Sequence, residues 1–191
     1  MKLSALLFLA FVQPTLVLAQ TAAPARIAMV VGNGQYEGGA WQRLDNPGRD
    51  AAAIADTLRT LGFDVVGCRP QGVCLNIDRD SFDAAIREFG RQLLAHPGAI
   101  AFFYYSGHGV QARRGLDQAD ENFLIPVNSR IQEEFEVASK SIPVQQVLDE
   151  LSGVGIQAGI VVLDACRSNA LRRSITRGRR LVEPPCALGW E

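Results

Sequence analysis

Two segments of this chain end an apolar run on a side chain that can do chemistry. Residues 101–105 lead through Ser106 and Gly107 to His108 and Gly109, and residues 159–163 lead through Asp164 and Ala165 to Cys166 and Arg167. An imidazole takes up protons near neutral pH, and a thiol that has lost its proton is a nucleophile. In an open parallel sheet, ligands and chemistry sit outside the carboxyl ends of the strands. Two neighbouring strands of this kind would bring the imidazole and the thiol into one crevice, the minimum for a cysteine nucleophile with a histidine base. Singly, each residue has a plainer explanation. His108 could be a loop histidine bonded to a carbonyl, and Cys166 a small buried hydrophobe. The pairing of the two, in order and at strand ends, points to catalysis.

The segments that must position them alternate in type. Residues 26–31 read as a buried strand ending at Gly32-Asn33-Gly34, followed by a loop with Gly38-Gly39. Asn46-Pro47 starts a helix, because proline suits the first helical position. Ile54, Leu58 and Leu61 then repeat at helical spacing, and Gly62 stops the helix. Residues 63–66 form a second strand. A second helix begins near Asp80-Ser81 with Phe82, Ala85, Ile86, Phe89 and Leu93 on one apolar face, and Pro97-Gly98 breaks it. After the His108 strand, residues 111–121 are polar and read as a mobile loop. Residues 122–127 read as a short edge strand, since Pro126 excludes a central position. A third helix starts near Pro143, with Val144, Val147, Leu148 and Leu151 inside. The order β-α-β-α-β-loop-α-β predicts an α/β fold, a three-layer sandwich with a mostly parallel sheet and helices on both faces. The chain contains no internal repeat.

A length of 191 residues fits one domain, and 48% hydrophobic with 20% charged residues fits a globular protein with a real core. A net charge of -1 gives no global signal for nucleic acid. Met1-Lys2, the mostly apolar residues 3–18 and the small residues before Gln20 read as a secretory signal peptide over 1–19, followed by a leader over 20–25. The competing reading is an uncleaved anchor, but Gln13 and Pro14 interrupt a run already short for a span. No later segment is long and apolar enough to span a membrane, so the expected location is exported, periplasmic or secreted. Export favours disulfides. Of the four cysteines, Cys68 and Cys74 flank a Pro/Gly turn and are expected to bridge, against the alternative of two unpaired surface thiols. With only two histidines and no Cys-x-x-Cys, no zinc or other metal site is expected.

These features together resemble the caspase-like cysteine peptidases, in particular the bacterial metacaspase or orthocaspase branch. The resemblance rests on residues 30–33 (Val-Val-Gly-Asn), 44–47 (Leu-Asp-Asn-Pro) with Asp50-Ala51, 61–63 (Leu-Gly-Phe), 102–111, 123–127 (Phe-Leu-Ile-Pro-Val) and 163–167 (Leu-Asp-Ala-Cys-Arg). It covers about residues 26–176, and a catalytic domain is assigned to 26–177 with an irregular tail over 178–191. His108 precedes Cys166 by 58 residues, close to the spacing of about 50 in the caspase signature. That signature has glutamine two before the cysteine and glycine two after. Here Asp164 and Ser168 stand instead.

The resemblance implies acyl transfer through a thioester, with Cys166 as nucleophile and His108 as proton carrier. It implies an oxyanion hole from the backbone amides of Gly109 and Cys166, and glycine after the histidine lets a backbone N–H approach the substrate. In such a family the residue two before the cysteine lines the primary specificity pocket. A carboxylate there, Asp164, favours an Arg or Lys at P1. Asp50 is a second candidate for that pocket, with the alternative that it only complements the dipole of its helix. Arg167 either lowers the thiol pKa or pairs with a carboxylate. The expected substrates are proteins or peptides with basic P1, with no cofactor. Some relatives use calcium, but no dedicated calcium loop is present.

Catalytic domains of this kind continue past the cysteine through further strands, whereas 25 residues follow Cys166 here. The expectation is a domain truncated at the C-terminus, with one sheet edge exposed. This keeps a second function open, a catalytically silent caspase-like interaction module. The arginines at 172, 173, 177, 179 and 180 read as a solvated stretch, and alternatively as self-cleavage sites. A flavodoxin-like nucleotide binder is disfavoured, because residues 32–34 are not a phosphate-binding fingerprint leading into a helix.

Overall fold

The computed structural model describes residues 23–37, 41–113 and 119–168. The expected signal peptide (1–19), Gly38-Gly39, Cys186 and the arginines from 172 to 180 lie outside the described residues. Strand β1 (Arg26–Gly32) is followed by α1 (Pro47–Thr60), β2 (Asp64–Val66), β3 (Cys74–Leu75) and α2 (Arg79–Ala95). Then come β4 (Ile100–Arg113), β5 (Asp120–Leu124), a 3-10 turn (Glu134–Glu136), α3 (Val137–Lys140), β6 (Ile142–Pro143), α4 (Val144–Ser152) and β7 (Ala158–Ser168). The strands form one sheet in the order β2-β1-β4-β5-β6, with β3 beside β1 and β7 beside β4. β1 runs parallel to β2, β3 and β4, and β4 runs parallel to β7. Among the described strands, the β4-β5-β6 extension is antiparallel.

Helices cover both faces, because β1 and β4 are apolar on both. Ala28, Val30 and Tyr104 pack with Ala51, Ala55 and Leu58 of α1. The alternate residues Ile27, Met29, Val31, Phe103 and Tyr105 pack with Phe82, Ile86 and Phe89 of α2 and Val147 of α4. This period-two division is what a strand buried on both sides requires. α1 can lie close only because residue 32 is glycine, where an added Cβ would stand 2.4 Å from the Pro47 carbonyl oxygen. α2 is capped by Asp78, whose side chain accepts from the Ser81 N–H. A disulfide joins Cys68 to Cys74, in the turn leading into β3, and the Arg69-Pro70 peptide is cis.

Several local expectations change. Residues 111–113 and 120–121 are strand and not loop, because β4 continues past His108 into a hairpin with β5, from Gly109↔Leu124 to Arg113↔Asp120. β5 is not an edge strand: it pairs with both β4 and β6, and Pro126 follows it instead of lying in it. Leu61 and Leu148 are exposed, the first because it has reached the C-cap of α1.

Candidate functional site

β4 changes partners at His108. On one side it follows β1 as far as Ser106 and takes up β5 at Gly109. On its other side it runs beside β7 from Ile100 to Val110, with His108 in register with Cys166. Adjacent strands lie about 4.8 Å apart, so the two expected catalytic residues are direct neighbours across one ladder. Gly109, expected to offer its amide to an oxyanion, stands next in register with Arg167.

The His108 side chain is 2% exposed and is held from above by the loop after β1. Its ring lies 4.6 Å from that of Tyr36 and 5.4 Å from that of Trp41. Nε2 lies 2.7 Å from the backbone oxygen of Gln42. A carbonyl can only accept, so Nε2 carries a proton, and in the neutral ring Nδ1 is the basic nitrogen. The backbone of His108 is held too: its N–H donates to the Tyr36 hydroxyl (3.0 Å), and its carbonyl accepts from the Tyr105 hydroxyl (2.7 Å). The indole N–H of Trp41 is buried without a hydrogen-bond partner among the described residues.

Asp164 is placed two residues before Cys166 on β7, opposite Ser106 of β4. Its carboxylate lies 3.4 Å from both the Tyr104 and the Ser106 hydroxyls. Tyr104 is pushed up to about 12, mainly by burial and next by the negative charge of Asp164, while a Ser106 hydrogen bond works the other way. Asp50, in the first turn of α1, adds a smaller negative influence on the same hydroxyl. The two acids therefore converge on Tyr104 from opposite elements. The disulfide, by contrast, lies on the far side of β1 from the His108–Cys166 ladder.

Beyond the Tyr36 loop a cavity of about 430 Å³ opens, lined by Gln35, Glu37, Asn76, Asp78 and Arg130. No group of three or more His, Cys, Asp or Glu side chains among the described residues could hold a metal ion. No described helix is long and apolar enough to cross a membrane.

Sequence reasoning did not single out Tyr36, Trp41, Gln42 or Ser106. The two aromatics in an otherwise polar loop were the available signal, and Ser106 shares its strand face with His108. The carbonyl of Gln42 leaves no residue-type signal at all.

The family profile of the caspase domain matches residues 25–183. No curated protein matches the chain. Among solved structures it is similar to protein GSU0716 from Geobacter sulfurreducens, with 19% sequence identity and a TM-score of 0.58 over 84% of this chain. It spans 58% of that protein's chain, and at this identity the likeness is one of fold.

Proposed function

Since the chain belongs to the caspase domain family of cysteine peptidases, we propose that it is an endopeptidase that acts through Cys166 and His108 and cleaves after Arg or Lys. The observation that supports this best is the parallel register of His108 on β4 with Cys166 on β7. The Cys166 thiol gives its proton to Nδ1 of His108, and the thiolate attacks the scissile carbonyl. The backbone amides of Gly109 and Cys166 stabilise the oxyanion. The amine leaves with the proton from His108, and water then hydrolyses the thioester. Gln42 keeps Nε2 protonated throughout, so that Nδ1 is the nitrogen that exchanges the proton.

The substrate preference rests on charge. Asp164 and Asp50 both act on the Tyr104 hydroxyl, and a guanidinium or ammonium entering there meets two carboxylates that form no ion pair with a basic side chain among the described residues. Tyr104 remains neutral below pH 10 and does not add to that charge. The resemblance of the quoted segments supports the metacaspase or orthocaspase branch, and a Cys68–Cys74 disulfide suits an exported protein.

A second reading, an interaction module without activity, is favoured by one observation. Ile160, Val162 and Leu163 on β7 are exposed, and β7 has one neighbouring strand among the described residues. Hydrolysis of fluorogenic peptides with Arg, Lys or Asp at P1, by wild type and Cys166→Ala, with and without calcium, separates the two. Turnover of Arg and Lys peptides that disappears in the variant is the expected result. No turnover of any peptide by folded, reduced protein would overturn the peptidase reading in favour of the module.

A further inference from the structure

At the point where β4 leaves β1 and joins β5, the ladder on that side of the strand has a gap, since the registers end at Ser106 and resume at Gly109. His108 sits in this gap. A buried backbone N–H without an acceptor is costly, and here two phenols and one residue of the return loop close it. The Tyr36 hydroxyl accepts from the His108 N–H (3.0 Å) and donates its single proton to the Ile125 carbonyl (3.1 Å). The Tyr105 hydroxyl donates to the His108 carbonyl (2.7 Å), which also accepts from the Ile125 N–H (3.0 Å). The two hydroxyl oxygens are 3.4 Å apart.

We propose that Tyr36 and Tyr105 are positioning residues that clamp both polar atoms of the His108 peptide and so hold its imidazole, bonded to Gln42, at the register position of Cys166. The clamp constrains the backbone, and the ring is constrained in turn by Nε2 on Gln42 and by the faces of Tyr36 and Trp41. Tyr105 is fully buried and its ring stacks on Phe82, so its hydroxyl is fixed by the core of the sheet. Burial also keeps it protonated well beyond the ordinary tyrosine range. Residue 107 must leave room for this arrangement. It is a glycine at φ +155°, and an added Cβ would stand 2.6 Å from the Tyr105 oxygen and 2.8 Å from that of Tyr36. The sequence of β4 thus places a tyrosine, a glycine and the histidine so that the strand carries half of the device, and the loop after β1 brings the other half.

The inference about catalysis rests on the peptidase reading, and the test separates the two. Tyr36→Phe and Tyr105→Phe remove one oxygen each and keep the rings that pack on His108 and Phe82. In an active enzyme, kcat for an Arg peptide should fall roughly 100-fold, the scale of a small misplacement of a reacting group. KM should stay within about twofold, because the Asp164 region is untouched. A second readout needs no turnover. In ¹⁵N-histidine-labelled full-length protein, the wild-type Nε2 proton on Gln42 should exchange slowly with water, and at least roughly 10-fold faster in Tyr36→Phe if the ring has lost its fixed position. Unchanged kcat, or unchanged exchange of the Nε2 proton in a folded variant, would overturn the clamp. A wild type that hydrolyses no peptide would remove the peptidase reading while the exchange measurement still decides the clamp. Loss of the fold in both variants would also overturn it, since positioning would then be inseparable from folding.

Discussion

Asn33 offers a strong test of how the end of β1 is built, through Asn33→Ala. The residue is fully buried directly after β1. Its Oδ1 accepts from the Ile77 N–H at 3.0 Å, and its Nδ2 faces the carbonyls of Ile125 (3.2 Å) and Ile77 (3.4 Å). The two carbonyls keep other donors when the amide is removed. Ile77 retains the Val127 N–H, and Ile125 retains the Tyr36 hydroxyl. The loss therefore concentrates on the Ile77 N–H, which is left without its acceptor at a cost of about 1–3 kcal/mol. Adding the donor bonds that disappear, the total should be about 2–4 kcal/mol. Urea unfolding at equilibrium reads this as a lower midpoint with an unchanged slope. Asn33→Asp is the second arm. It keeps an acceptor for Ile77 but places a carboxylate against two carbonyls in a fully buried site, which raises its folded pKa. A raised folded pKa means that the deficit is smallest below about pH 4 and grows as the pH rises. A loss under about 1 kcal/mol for the alanine variant, or a pH-independent deficit for the aspartate variant, would refute the reasoning.

Three further outcomes follow from the same geometry. Gly107→Ala should cost about 2–4 kcal/mol, because φ +155° disfavours a side chain and both phenols must move, leaving buried polar groups unpaired; a thermal melt checks it, and an unchanged midpoint refutes it. Asp164→Asn should bring Tyr104 down from about 12 while leaving it above the ordinary value of 10.0, since burial is the larger cause; tyrosinate absorbance during an alkaline titration reads the shift. Glu136 is held down to about 2, chiefly by Lys140 and then by the backbone N–H groups of Gln132 and Glu133. Its folded pKa is depressed, so its contribution is present above pH 4.5 and is lost as pH falls towards 2; a carboxyl NMR titration should show this, and Lys140→Ala should raise the midpoint.

The parts of the fold that were legible in sequence are those where one residue type answers one physical demand. Pro47 suits a first helical turn, and Phe82, Ala85, Ile86, Phe89 and Leu93 are all buried on one face of α2. β4 and β7 are parallel neighbours, as the alternation of strands and helices implied, which sets His108 in register with Cys166. What was not legible depends on partners distant in sequence. Residues 111–113, in a largely polar stretch, are strand because β5 pairs with them, a tertiary gain that overrides local composition. The atoms that hold His108 include a backbone carbonyl, which every residue possesses, and a tyrosine 72 residues upstream. Leu148 matched the apolar spacing of α4 yet is exposed, because spacing alone does not set how wide a stripe the sheet covers.

The 14 residues of β4 also set how the molecule can be controlled. One strand begins between β1 and β7, forms the middle of the sheet, carries His108 and ends as an arm of the β5 hairpin. Its amides near His108 should therefore exchange with solvent only through openings close to global unfolding. A switch that works by melting a small local segment has no purchase on the histidine. Control of any activity falls instead to parts that can move without dismantling the sheet, the loop that brings Tyr36, Trp41 and Gln42 to the imidazole and strand β7, which brings Cys166 and has one neighbouring strand among the described residues. Residues on these two elements, and not on β4, are where natural variation can retune rate without a matching loss of stability.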